Sequence, residues 1–133
     1  MTVLLKFDSK IKSYRILGPS LFVNQANKYL CYCDLRNLSV LTIRSYGHDL
    51  VSLIRWLLFM SIETLENFQS LDLLHFIAYL KEEGLHANSI NHRFSTAVVF
   101  YQFIFGVKPK IPFSGITQNK GSRCRYYRGR GSS

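Results

Sequence analysis

Between Asn88 and Thr96 the chain sets Asn88, Ser89, Asn91, His92, Arg93, Ser95 and Thr96 on or beside the outer side of a helical stretch. These are amides, hydroxyls, one imidazole and one guanidinium, with no carboxylate. Such groups suit hydrogen bonds to phosphate oxygens and base edges. A helix N-terminus adds free N–H groups and a dipole that favours an anion. Taken alone, a polar face of low charge is more often only a solvated surface. The wider charge pattern goes further. After Glu83 there is no acidic residue, while Arg93, Lys108, Lys110, Lys120, Arg123, Arg125, Arg128 and Arg130 all follow. A run of one sign and that length points to a polyanionic partner. The net charge of +9 is concentrated in the flanks: residues 1–19 carry +3 and residues 107–133 carry +7, whereas residues 20–106 carry −1.

Other chemistry does not assemble. His48, His75, His86 and His92 show no ligand spacing with Cys, Asp or Glu on a shared face, so no metal is expected. There is no glycine-rich phosphate loop, and no cofactor is implied. Glu82 and Glu83 are adjacent, and adjacent helical positions do not face each other. They read as a solvated helix end and not as a catalytic pair. Cys31 and Cys33 lie two apart on a helix and point to different faces, and Cys124 sits in the basic tail. That odd set predicts no disulfide framework and fits a reducing cytoplasm. Tyr126 and Tyr127, between Arg125 and Arg128, could cover bases and phosphates together; a tail with nothing bound is an equal alternative.

These residues need a scaffold. At 133 residues and 47% hydrophobic content the chain supports one compact domain with tails. Its apolar runs are far shorter than the roughly 20 residues of a membrane span. The start, Met1 to Lys6, lacks the pattern of a secretory leader. Residues 3–17 form two short apolar-rich pieces around Asp8-Ser9-Lys10, a small hairpin or an extended arm, closed by Gly18-Pro19. Ser20 caps a first helix over 21–36. Ser39 caps a second, reaching about Met60, with Ile43, Tyr46, Leu50, Leu53, Ile54 and Leu57 inward and Arg44, Ser45, His48, Ser52 and Arg55 outward. Gly47 inside it costs about 1 kcal/mol relative to Ala, which predicts a close backbone approach or a local weakness. A loop over 61–70 precedes a third helix, capped by Ser70 or Asp72 and ended at Gly84. The fourth runs from near Asn88 to before Gly106, and Pro109 and Pro112 forbid its continuation. The expected fold is an all-α, small four-helix bundle. The expected division is an arm or hairpin over 1–19, a helical domain over 20–106 and a basic linker or tail over 107–133.

The order of parts carries a resemblance. The first helix contains Tyr29-Leu30. The second reads Leu38-Ser39-x-x-Thr42-Ile43-x-x-Tyr46-x-x-Asp49-Leu50, then Leu53 and Trp56-Leu57. The third reads Leu71-Asp72-x-x-x-Phe76-Ile77-x-Tyr79-Leu80. The fourth reads Asn88-Ser89-Ile90-Asn91-x-Arg93-Phe94-Ser95-x-Ala97-x-x-Phe100-Tyr101-x-Phe103. Together, over roughly residues 20–106, they resemble the N-terminal SAM-like core-binding domain of phage integrases and other tyrosine recombinases. The resemblance implies half of a C-shaped clamp on double-stranded DNA, with the second and fourth helices toward the major groove. By position the contacts would be Ser39, Thr42, Arg44, Ser45 and His48, and Ser89, Asn91, His92, Arg93 and Thr96. The arm and the linker, with Lys108 and Lys110, would track the backbone.

The catalytic half of that family is missing from these residues. There is no His-x-x-Arg, and Tyr126 or Tyr127 alone cannot cleave DNA. The expectation is a non-catalytic chain, monomeric in isolation, with DNA and an absent catalytic domain as partners, serving a recombinase, integrase or transposase. It would be a fragment, a truncated product or a stand-alone accessory. The alternative is a helical self-association module that does not bind DNA.

Overall fold

The computed structural model describes residues 2–109. It opens with an antiparallel hairpin, β1 (Leu4–Asp8) and β2 (Ser13–Leu17), in the register Leu4↔Leu17 through Asp8↔Ser13. The hairpin, and not the extended arm, is the form adopted. Its turn is set locally, because the Asp8 carboxylate accepts the Lys10 N–H at 2.9 Å and Lys12 takes a positive φ of 54°. Phe7 and Tyr14 meet edge to face at 5.3 Å across the strands.

A two-stranded hairpin is marginal alone. This one is held by long-range contacts. Val3 and Ile16 are buried, worth roughly 1.5–3 kcal/mol each. The Asn27 side chain accepts the Ile16 N–H at 2.8 Å and donates to the Ile16 carbonyl at 3.0 Å. Arg55 donates through Nε to the Val3 carbonyl at 2.9 Å.

Four helices follow: α1 (Leu21–Leu35), α2 (Val40–Phe59), α3 (Ser70–Glu82) and α4 (Ala87–Phe105), with one 3-10 turn at Leu65–Asn67 between α2 and α3. The Ser20 hydroxyl caps α1 by accepting the Phe22 N–H at 3.0 Å, and the Ser39 hydroxyl caps α2 by accepting the Thr42 N–H at 3.1 Å. Gly84 and Gly106 both take left-handed backbone, φ 76° and 75°. The cap of α3 differs from expectation. Gln69 holds the N-cap position, and Asp72 lies inside the helix with its carboxylate reaching back to the Gln69 N–H at 2.8 Å. An acidic side chain three residues into a helix closes such a box as well as it would serve as the cap itself.

The apolar stripes of the four helices close into one core, with Phe22, Leu50, Leu57, Phe76 and Phe100 fully buried. Phe68, from the loop before α3, joins it. Its ring packs edge to face with Phe22 at 5.5 Å and with Tyr101 at 5.4 Å. Gly47 shows the close approach expected of it, made by a side chain and not by backbone: a Cβ there would stand 2.5 Å from Leu5 Cδ1. The hairpin is thus seated on α2 through Leu5. No helix among the described residues is long and apolar enough to cross a membrane.

Candidate nucleic-acid interface

α2 and α4 meet along a polar seam. Thr96 donates its hydroxyl to the Asp49 carboxylate at 2.7 Å. His92 Nδ1 forms a close contact with the same carboxylate oxygen. Arg93 donates through Nη1 to the Ser52 hydroxyl at 3.1 Å, and the Tyr46 and His92 rings stack at 6.5 Å. A charged group taken out of water must be compensated by hydrogen bonds. Asp49, only 7% exposed, has two partners on α4 and so fixes how α4 lies on α2.

This arrangement revises one expectation. Thr96 is 4% exposed and its hydroxyl is committed to Asp49, so it faces the helix seam and not a groove-facing surface. At ~3.6 residues per turn Thr96 points about 100° round the helix from the exposed Ser95, which turns it toward α2. α4 itself carries no carboxylate; the one beneath its polar face, Asp49, comes from α2 and is buried. Because Asp49 occupies His92 Nδ1, Nε2 is the ring nitrogen left for another partner. The His92 side chain is 51% exposed.

The remaining candidates divide by what they already hold. Arg44, Ser45 and His48 on α2 and Asn91 on α4 are exposed, and Asn88 and Ser95 lie exposed beside Asn91 and His92. Ser89 and Arg93 are half-buried. Ser39 and Thr42 are engaged in capping, with their hydroxyls 2.9 Å apart. Lys108 is exposed just past α4. Lys110 lies outside the described residues, as do Pro112, Cys124, Tyr126, Tyr127 and the rest of the basic tail. Sequence reasoning missed Asp49 as the strut of the seam. The signal was present, since an acid at helical spacing from Tyr46 and Leu53 sits on the packed side of α2.

The buried groups elsewhere are structural. Burial pushes the Tyr29 phenol well up from its ordinary range and raises the Cys33 thiol, keeping both protonated. Cys31, two residues earlier, is exposed. Among the described residues no group of three or more His, Cys, Asp or Glu could hold a metal ion.

Comparison with known proteins places this arrangement. Neither the curated proteins nor the solved structures compared with the chain yield a match. The family model described as phage integrase, N-terminal SAM-like domain, matches residues 27–106, which run from the body of α1 to the glycine that ends α4. With its four helices in that order and more than half its length inside the match, the chain belongs to the family of phage integrase N-terminal SAM-like domains.

Proposed function

We propose that the chain binds double-stranded DNA as the non-catalytic clamp domain of a site-specific tyrosine recombinase, integrase or transposase. In this reading it works in the cytoplasm beside a catalytic domain, supports integration and recombination, and itself cuts nothing. One observation carries the reading. α2 and α4 contain between them a single acidic residue, Asp49, and that residue is buried in the seam. The other seven acids lie on other elements. Two helices so arranged turn Arg44, Ser45, His48, Asn91, His92 and Arg93 outward or into the groove beside α2, without an exposed carboxylate to repel phosphate. Phosphate contacts would set the affinity, and the Asn, Ser and His side chains would touch base edges. Lys108 and the basic residues after it would follow the backbone.

The test is duplex binding by fluorescence anisotropy across a salt series. With about four phosphates neutralised, the log–log slope is expected near −3 to −4. A salt-insensitive affinity would sink the reading. A second reading draws on the exposed Leu35 and Leu41, at the end of α1 and the start of α2, which suit self-association. Concentration-dependent sedimentation with no DNA binding would favour it.

A further inference from the structure

An open groove of about 560 Å³ runs beside α2, between β1 and α4. Leu5 of β1 forms one wall, and His48, Ser52 and Arg55 of α2 form the floor. Arg93 of α4 and Tyr79 of α3 close the far side. Three basic side chains face this space and no carboxylate lines it. Among the described residues the ion pairs are Arg15 with Asp8 and His92 with Asp49, so neither groove arginine has a counter-charge.

Each arginine is nevertheless held in place. Arg55 spends Nε on the Val3 carbonyl, leaving both terminal nitrogens; Arg93 spends Nη1 on Ser52, leaving Nε and Nη2. A guanidinium fixed by one donor, with its others free, is arranged for a bidentate grip on an oxyanion. The hairpin adds a neutral donor. Asn27 takes both the N–H and the carbonyl of Ile16, so Ile16 does not bond to Leu5, the residue opposite it. In an antiparallel ladder the N–H of such a residue points away from its partner strand. The Leu5 N–H therefore lies on the outer edge of β1, the edge whose Val3 carbonyl, two residues earlier, reaches Arg55.

We propose that this groove holds one backbone phosphate of the bound duplex, gripped by Arg55 and Arg93 with the Leu5 N–H as a third donor. The proposal rests on the DNA-binding reading and adds a site to it. β1 lies outside the span matched by the family, so this wall of the groove is a feature of this chain's own N-terminal hairpin. A diester phosphate carries one charge and two free oxygens, which matches two guanidiniums and one amide. An open groove, unlike a closed pocket, lets the strand continue on both sides.

The full 133-residue chain is titrated with labelled duplexes of unrelated sequence across a salt series, beside Arg55→Gln/Arg93→Gln and Ser52→Asp. The double variant is expected to lose about one unit of salt slope and roughly tenfold in affinity, by the same factor on every sequence. Ser52→Asp keeps both arginines and the Arg55 tie to the hairpin, and is expected to weaken binding at least as much. Urea denaturation shows whether each variant is folded, and Ser52→Asp carries the test if the double variant is not. Unchanged slope and affinity in Ser52→Asp, with wild type binding normally, overturns the phosphate site and leaves the DNA reading standing. No salt-dependent binding by wild type overturns both. In a parallel NMR titration with inorganic phosphate alone, the Leu5 amide is expected to respond only weakly. Saturation at submillimolar phosphate would assign the groove to a free anion and overturn the proposal.

Discussion

The seam between α2 and α4 and the groove beside β1 share one helix and nearly the same side-chain types, yet they are opposite in electrostatic state. In the seam, a buried carboxylate is matched by a hydroxyl and an imidazole. In the groove, two guanidiniums and an imidazole meet no anion. Pairing makes the buried part of the seam a structural joint: Asp49 and Thr96 are spent on each other, and only the outward edge of His92 is left for a ligand. Missing pairing makes the groove receptive, because its positive charges repel one another until an anion enters. Arg93 stands at the boundary, bonded to Ser52 across the seam and lining the groove.

Emptying the seam should have the largest effect. Asp49→Ala leaves the buried Thr96 hydroxyl without an acceptor and is expected to cost about 2–3 kcal/mol in urea denaturation. Asp49→Asn keeps an acceptor for Thr96 and should cost about half of that. Duplex affinity should fall only as far as α4 loosens. If Asp49→Ala instead bound DNA more tightly with no loss of stability, the carboxylate would be a repulsive element at the interface and not a strut.

Thr96→Val makes a smaller and cleaner cut. It removes the hydroxyl at nearly constant volume and leaves His92 on Asp49, with an expected loss of about 1.5 kcal/mol for a hydrogen bond to a charged group. Because Thr96 is buried, its direct contribution to duplex binding should be nil. A change of salt slope in this variant, with stability intact, would return Thr96 to the interface.

How much of this could be read in advance follows from the range of each interaction. The caps at Ser20 and Ser39 and the left-handed turns at Gly84 and Gly106 depend on neighbours within four residues, and the sequence displays them directly. The inward stripe of α2 from Ile43 to Leu57 follows from periodicity alone. The partners of Asp49 lie more than forty residues away, and which turn of α4 crosses it is set by tertiary packing. Phe68 sits in a loop, where no periodicity marks a core residue. Arg55 read only as one of several outward side chains on α2. Its value to the groove depends on where the start of the hairpin docks, with Val3 52 residues earlier.

The mildest change probes that docking. Gly47→Ala replaces a glycine in the middle of α2, and the helix should gain about 1 kcal/mol from the better helix former. Against that, the new methyl would meet Leu5 Cδ1 at 2.5 Å, so Leu5 must move. The clash is with the far end of a flexible side chain that borders an open groove, so Leu5 can rotate away without dragging β1 with it. The displacement should cost about as much as the helix gains, at the low end of overpacking penalties. The net change in stability is then expected within about 1 kcal/mol of zero by urea denaturation. The salt slope is the more sensitive readout, because Leu5 turned into the groove crowds the space assigned to the phosphate. A reduced slope at unchanged stability would separate the groove from the seam, whose contacts lie on the opposite flank of α2 from Gly47. A stability loss above about 2 kcal/mol would mean that Leu5 cannot yield and that the hairpin is a rigid part of the core.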